Sequence, residues 1–210
     1  MCSHNFYIDD LVMDRMLQGS EYACEIYKAH RIEVVLGRSS KIEEDVMVET
    51  CADDGIPLSR RRGGGGTVIL SPGILILSIG GRSTLQYHLR EHMNAVNRII
   101  VDTLEQLGVD SPVIRGISDI TLGMKKILGS SLYRRKDLVL YQGSLLVNPD
   151  LSLMKRYLKQ PRKQPAYRKD RSHEDFVTSL HNEGYEIPKV EIIDKLREAF
   201  IEGSPWPPVP

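Results

Sequence analysis

Arg60-Arg61-Arg62-Gly63-Gly64-Gly65-Gly66-Thr67-Val68 sets three cations against four glycines at the start of a β-branched run. Glycine runs lose much backbone entropy on folding, so they mark places where backbone must approach something closely or adopt positive φ. Exposed N–H groups beside guanidinium forks make a cradle for a phosphate or carboxylate. A flexible, solvated basic loop is the competing reading. The apolar stretches Val68-Ile69-Leu70 and Ile74-Leu75-Ile76-Leu77 that follow argue against it. Other motifs are missing. The glycines are not followed by the Lys-Ser/Thr of a Walker A loop, and a strand, not the helix of a dinucleotide fingerprint, comes next. No serine sits in a GxSxG elbow, and the six histidines form no HExxH. His88 and His92 stand four apart on one predicted helix and could share a metal, but no carboxylate or Cys stands near them at ligand spacing.

The elements that must position this run read as a mixture of strands and helices. Tyr7 to Leu17 is a predicted helix with Ile8, Leu11, Val12 and Met16 on its apolar side. Residues 31–36 are strand-like, Glu43 to Cys51 a short helix, and Asp53-Asp54-Gly55 a turn. Thr67–Leu70 and Ile74–Ile79 read as a buried hairpin through Ser71-Pro72-Gly73. Ser83 or Thr84 can cap a long helix to Gly108, whose stripe Leu85, Leu89, Met93, Val96, Ile100, Leu104 and Leu107 is core. Short strands at 112–114, 119–122, 126–128, 138–141 and 145–147 then suggest an antiparallel meander. Residues 155–171 form a basic, Pro-containing surface loop; Ser172 and Asp175 make a capping-box variant. Pro188 opens a last helix with Ile192, Ile193, Leu196 and Phe200 inward, and the 205–210 tail is extended.

With 210 residues the chain is one catalytic-size domain able to bury a substantial core. Lys+Arg and Asp+Glu balance at 28 each, which argues against a bulk polyanion partner. Three widely spaced cysteines without a CxxC pair read as reduced thiols in a cytoplasmic protein. No signal peptide and no apolar run of about 20 residues is present, so no membrane span is expected. The fold class is α+β, with mixed, largely antiparallel sheets and helices packed on one face.

Three segments in order then carry a family likeness: the Arg/Gly run; Ser118-Asp119 with Lys125-Lys126-Ile127-Leu128-Gly129-Ser130-Ser131; and Gln142-Gly143-Ser144-Leu145-Leu146. Together they resemble the lipoate–protein ligase catalytic domain of the biotin/lipoate ligase and octanoyltransferase superfamily. The likeness runs from Gly37-Arg38 through the last helix. It implies that lipoate attacks the α-phosphate of ATP, giving lipoyl-AMP and pyrophosphate. A lysine of an acceptor lipoyl-domain protein then takes the acyl group; glycine-cleavage H protein and a dehydrogenase acyltransferase subunit are the acceptors implied. That lysine must first lose a proton, at about 4–5 kcal/mol near neutral pH. By motif position Lys126 bridges carboxylate and phosphate, and Asp119 holds Mg²⁺. Arg61, Gly64, Gly65, Gly66, Thr67, Val68, Ser118, Ser130, Gln142 and Gly143 bind substrate or adenylate. Val68, Ile69 and the 145–147 strand are the candidate walls for the acyl tail. Without the resemblance, Lys126 reads as an ordinary strand-end lysine and Asp119 as a turn residue.

The pattern departs from the family at Leu70 and Gln142, where histidines are usual, and Gln142 cannot act as a base. No C-terminal accessory domain is expected within these residues, so a separate small accessory protein is a possible partner; nucleic acid and membrane are not. Two alternatives stay open: an octanoyl or lipoyl transferase working through a cysteine thioester, and a non-catalytic basic binding module. If the acyl group travels through a thioester on Cys51, Cys51→Ala abolishes transfer. Pyrophosphate release that survives Cys51→Ala selects the adenylate route.

Overall fold

The computed structural model describes residues 10–83, 88–201 and 205–206. In chain order it builds α1 (Asp10–Leu17), β1 (Tyr22–Lys28), β2 (Glu33–Leu36), α2 (Ile42–Asp45), α3 (Val48–Asp53), β3 (Leu58–Arg60) and β4 (Val68–Leu70). There follow β5 (Ile74–Arg82), α4 (Leu89–Gln106), β6 (Val113–Arg115), β7 (Asp119–Leu122), β8 (Lys125–Arg135) and β9 (Leu138–Leu146). The chain continues through α5 (Ser152–Tyr157), α6 (His173–Phe176) and α7 (Lys189–Ile201). Six strands form one sheet in the order β1-β5-β9-β8-β7-β6, antiparallel throughout. A smaller sheet, β3-β2-β4, pairs β2 parallel to β3 and antiparallel to β4.

The expected hairpin does not form. β4 joins the small sheet and β5 the large one, and Ser71-Pro72-Gly73 carries the chain between them. Gly73 makes the crossing possible: its φ is +102°, and a Cβ there would lie 2.1 Å from the Asn148 carbonyl oxygen. The meander is real, but 126–128 is the start of an eleven-residue strand, and 138–141 and 145–147 belong to one strand, β9, ending at Leu146. β1 and β3 carried too little alternation to be read from sequence.

Strand alternation sorts the core. Leu75, Leu77 and Ile79 of β5 face α4 and α7, whose Val96, Ile100, Leu104, Ile192, Leu196 and Phe200 are buried against them. Ile74 and Ile76 face the other way, with Val35, Leu70, Leu146, Phe176 and Val177 in a layer between the sheets. Helices are not confined to one face. α1 lies on the side opposite α4 and α7, its Val12, Met13 and Met16 packed on Leu138 and Leu140. Gly80 lets it close in, since a Cβ there would come within 2.7 Å of Val12. Leu11 and Leu89, expected inside, are exposed. Tyr7, Ile8, Thr84, Leu85 and Cys2 lie outside the described residues.

Ser83 is not a helix cap. Its Oγ lies 2.7 Å from His92 Nε2, while His92 Nδ1 lies 2.7 Å from the His88 carbonyl oxygen. Both imidazole nitrogens are thus engaged, which agrees with the reading against a metal shared by His88 and His92. In the tail, Trp206 is buried and donates to the His92 carbonyl. The basic segment departs from a surface loop in three places: Lys155–Tyr157 belong to α5, Leu158 is buried, and so is Arg168. Ser172 caps α6, accepting from the Asp175 N–H.

Tyr141 on β9 is wholly buried and donates to Asn97 Oδ1 of α4 at 2.7 Å. Burial pushes its phenol far above the ordinary value, so it remains a donor. Tyr141→Phe orphans the Asn97 carbonyl and should destabilise by about 1–3 kcal/mol. The check is a lower urea midpoint at an unchanged m-value.

Candidate active site

Arg61 leaves β3 at the edge of the small sheet and turns inward, where its guanidinium is buried. Nε donates to Ser131 Oγ of β8 at 3.1 Å, and Nη1 to the Val35 carbonyl of β2 at 3.4 Å. Nη2 donates to the carbonyls of Gly64 and Gly66 at 2.7 and 2.8 Å. Those two carbonyls therefore point at the guanidinium. In a trans peptide the N–H is opposed to the C=O, so the N–H groups of Gly65 and Thr67 point away from it, on the loop's open side. Gly65 and Gly66 are exposed there. Arg61 thus holds the loop from inside and leaves those two N–H groups on its open side.

The loop is braced on its other side. Arg60 Nη1 donates to the carbonyls of Gly37, Arg38 and Ser40, and Thr67 Oγ1 donates to Asp45 Oδ2 at 2.7 Å. Gly37 receives the loop tip: a Cβ on it would lie 2.1 Å from the Gly65 carbonyl oxygen.

The second half of the site centres on Lys126. Its Nζ lies 2.7 Å from Asp119 Oδ1. Ser118 Oγ reaches the same oxygen at 3.3 Å, and Tyr167 Oη donates to Oδ2 at 2.7 Å. Asp119 is buried, and the Lys126 side chain is 26% exposed, enough to meet a ligand. Gly129 makes the room: a Cβ there would lie 2.5 Å from both Cε and Nζ of Lys126.

β8 joins the halves. Gly129, under the Lys126 ammonium, and Ser131, bonded to Arg61, are two residues apart and share a face, about 7 Å along the strand. Gln142 pairs with Ser131 across β9 and lies on that face too; a Cβ on Gly63 would sit 2.6 Å from Ser131 Oγ and 3.6 Å from Gln142 Oε1. Ser130 and Gly143 pair with each other on the opposite face. Ser130 Oγ donates to the Ser118 carbonyl and contacts Met93 of α4, and Gly143 lies under the Tyr141 ring. Their side-chain faces therefore lie outside the site. Ser131 and Tyr167 are the polar side chains that sequence reasoning missed.

A cavity of about 290 Å³ has Leu11, Tyr27, Ala29, Leu70 and Ile76 as apolar walls, with Lys28, His30, Arg31 and Glu33 also lining it. Ile76, one of its walls, pairs with Ser144 and Ser144 with Gly129, which puts Ile76 two strand spacings, about 10 Å, from the glycine under the Lys126 ammonium. Val68 and Leu146 share its layer. Ile69, Leu145 and Val147 point into other clusters and cannot wall it. Leu70, standing where a histidine is usual, is an apolar wall.

Both Asp119 oxygens have donors already, and among the described residues no three His, Cys, Asp or Glu side chains converge. A lone carboxylate already taken up by a lysine, a serine and a tyrosine suits holding the lysine and does not fit a resident divalent ion. Nor do Cys24 and Cys51, the cysteines among the described residues, fit a thioester route. Burial raises the Cys51 thiol, which packs with Val34, Leu36 and Ile69, and burial pushes Cys24 up to about 11. Among the described residues no helix is long and apolar enough to cross a membrane.

Residues 2–201 match the family model described as the lipoyl protein ligase A/B catalytic domain. Lipoate-protein ligase A subunit 1 of Thermoplasma acidophilum is 27% identical over 205 residues, covering 93% of this chain and 75% of that protein. Lipoate-protein ligase A of Psychrobacter cryohalolentis is 28% identical over 170 residues; the match takes in 80% of this chain and spans about half, 48%, of that relative. A bi-partite lipoate protein ligase solved with its E2 lipoyl domain from Thermoplasma acidophilum superposes with a TM-score of 0.78 at 24% identity, covering 96% of this chain and 80% of that one. A lipoate-protein ligase A bound with ATP gives 0.74 at 26% identity, covering 88% and 73%.

The seat of the glycine loop gives a direct test. Gly37→Ala should unseat residues 63–66 while leaving the large sheet intact. Expected is faster proteolytic cleavage within 60–66 together with a drop of a few degrees in the unfolding midpoint.

Proposed function

The chain belongs to the lipoyl protein ligase A/B catalytic-domain family, and from that premise we propose that it is a lipoate–protein ligase. Its substrates are lipoate and ATP, and its acceptor is a lysine of a lipoyl domain. The observation that carries this reading is the Lys126 ammonium, held by Asp119 over Gly129, one side-chain step along β8 from the arginine-braced glycine loop.

The acyl tail enters the cavity along its apolar walls, each buried methylene contributing about 0.8 kcal/mol, and its carboxylate reaches Lys126. One carboxylate oxygen attacks the α-phosphorus and pyrophosphate leaves. Both partners are anionic, so the barrier falls where a cation and aimed N–H dipoles meet them. Lys126 supplies the cation. The N–H groups of Gly65 and Thr67 hold the phosphate, and Val68 lines the tail's path. Gln142 and Ser131 offer neutral hydrogen bonds. Ser118 and Asp119 keep Lys126 in place, and any Mg²⁺ arrives with the nucleotide's phosphates as part of the substrate. In the second half-reaction the acceptor amine attacks the acyl carbonyl carbon, AMP leaves, and an amide forms.

The acceptor is a glycine-cleavage H protein or a dehydrogenase acyltransferase subunit. The Thermoplasma relative's name as one subunit of a ligase supports supplying a separate accessory protein in assays.

The test is incubation with ATP, Mg²⁺ and lipoate, with pyrophosphate and lipoyl-AMP measured directly. Lys126→Ala should slow adenylate formation by about 10²–10³-fold. Gly129→Ala, which pushes the ammonium aside without removing it, should cost about 10²-fold. If no adenylate or pyrophosphate appears even with acceptor and accessory protein present, the reading fails.

A further inference from the structure

Tyr167 belongs to none of the three motifs and lies in the middle of a run that reads as solvated loop. We propose that Tyr167 is a positioning residue for Lys126, acting through Asp119. This rests on the role given to Lys126 above.

The carboxylate of Asp119 has one strong donor on each oxygen: Lys126 on Oδ1 and Tyr167 on Oδ2, both at 2.7 Å. A carboxylate gripped at one oxygen is free to turn about its Cβ–Cγ bond, and an ammonium bonded to it follows. Gripped at both, its plane is fixed, and so is the point from which Lys126 meets a ligand. The phenol is suited to this task because it is neutral. A second cation would compete with Lys126, whereas burial and the nearby Asp119 charge push the Tyr167 hydroxyl far above its ordinary range, so it only donates.

The rest of the segment holds the phenol in place. The Tyr167 ring stands 5.1 Å from that of Phe176, with the Arg115 guanidinium 5.8 Å from its centroid. Gly116 faces it closely, at 3.7 Å from a would-be Cβ to Cε1. Lys169 and Asp170 both adopt the left-handed region, at φ +51° and +56°. Each such residue costs about 1–2 kcal/mol, and conformations of this kind persist where surrounding contacts over-determine them. Here the contacts are a buried Arg168 against Phe176 and Arg171 donating to the carbonyls of Met124 and Tyr167. The turn reverses the chain so that Tyr167 points inward while its charged neighbours Lys169 and Asp170 stay exposed.

Tyr167→Phe keeps the ring and removes only the donor. Adenylate formation at saturating lipoate and ATP should fall about tenfold, with both KM values within about twofold, measured at a temperature where parent and variant are both fully folded. In an Asp119→Asn background the same substitution should have no further effect, as residues acting in one chain are non-additive. A second measurement needs no ligase activity. In the ligand-free protein, labelling of Lys126 by an amine-reactive ester, quantified by mass spectrometry, should speed up several-fold in Tyr167→Phe while Lys125 labelling stays constant. Parent-like labelling and turnover, or full additivity with Asp119→Asn, overturns the proposal. Absence of adenylate in the parent protein overturns the ligase reading instead, and the labelling result then decides the role of Tyr167 by itself.

Discussion

A single buried guanidinium holds the two sheets and the loop between them together. Arg61 reaches Val35 in the small sheet, Ser131 in the large one, and the Gly64 and Gly66 carbonyls at once. Only a planar fork with five donors can meet carbonyls from several directions; a lysine presents one point charge. The consequence passes outward through peptide geometry, since each carbonyl drawn in turns an N–H out. A flexible glycine run thereby becomes a fixed surface of dipoles, with its entropy cost offset by hydrogen bonds to a charged donor.

Much of this was legible in the residues, and the failures have physical causes. The long amphipathic helix, the last helix and the meander announce themselves through periodicity that their buried stripes confirm. That the glycine run is a fixed loop was readable because glycine and arginine have few other reasons to adjoin. The 67–79 hairpin was misread because a short connection with a turn glycine looks the same whether it joins two strands of one sheet or two sheets. Only the long-range pairing of β4 with β2 decides it. β1, with Glu25 and Lys28 among its seven residues, hides its strand character under polar side chains. That backbone carbonyls surround Arg61 could not be read, because local sequence does not show which long-range groups converge on it. Ser130 was chosen over Ser131 for the same reason: adjacent strand residues face opposite ways, and the motif alone does not tell which faces in.

The two halves of the site differ in how they present charge. Lys126 meets Asp119, so that pair is nearly neutral as a unit, and the half-exposed ammonium is directed more than it is strengthened. The glycine loop turns the N–H dipoles of Gly65 and Thr67 to its open side. With Leu70 and Gln142 in place of titratable side chains, the surface between them is apolar or neutral.

β5 serves three neighbours at once: helices on one face, the inter-sheet layer and α1 on the other, with every residue from Ile74 to Gly81 buried. A strand so enclosed has little mutational freedom, since any change of volume is felt on whichever side it faces. The cavity, however, also draws walls from Ala29 and Leu70, which belong to a connection and to a three-residue strand. If the cavity takes the acyl tail, drift toward a longer, shorter or bulkier substrate has a route that leaves the scaffold strand untouched. The acceptable evolutionary variation of this pocket lies in its small-sheet wall.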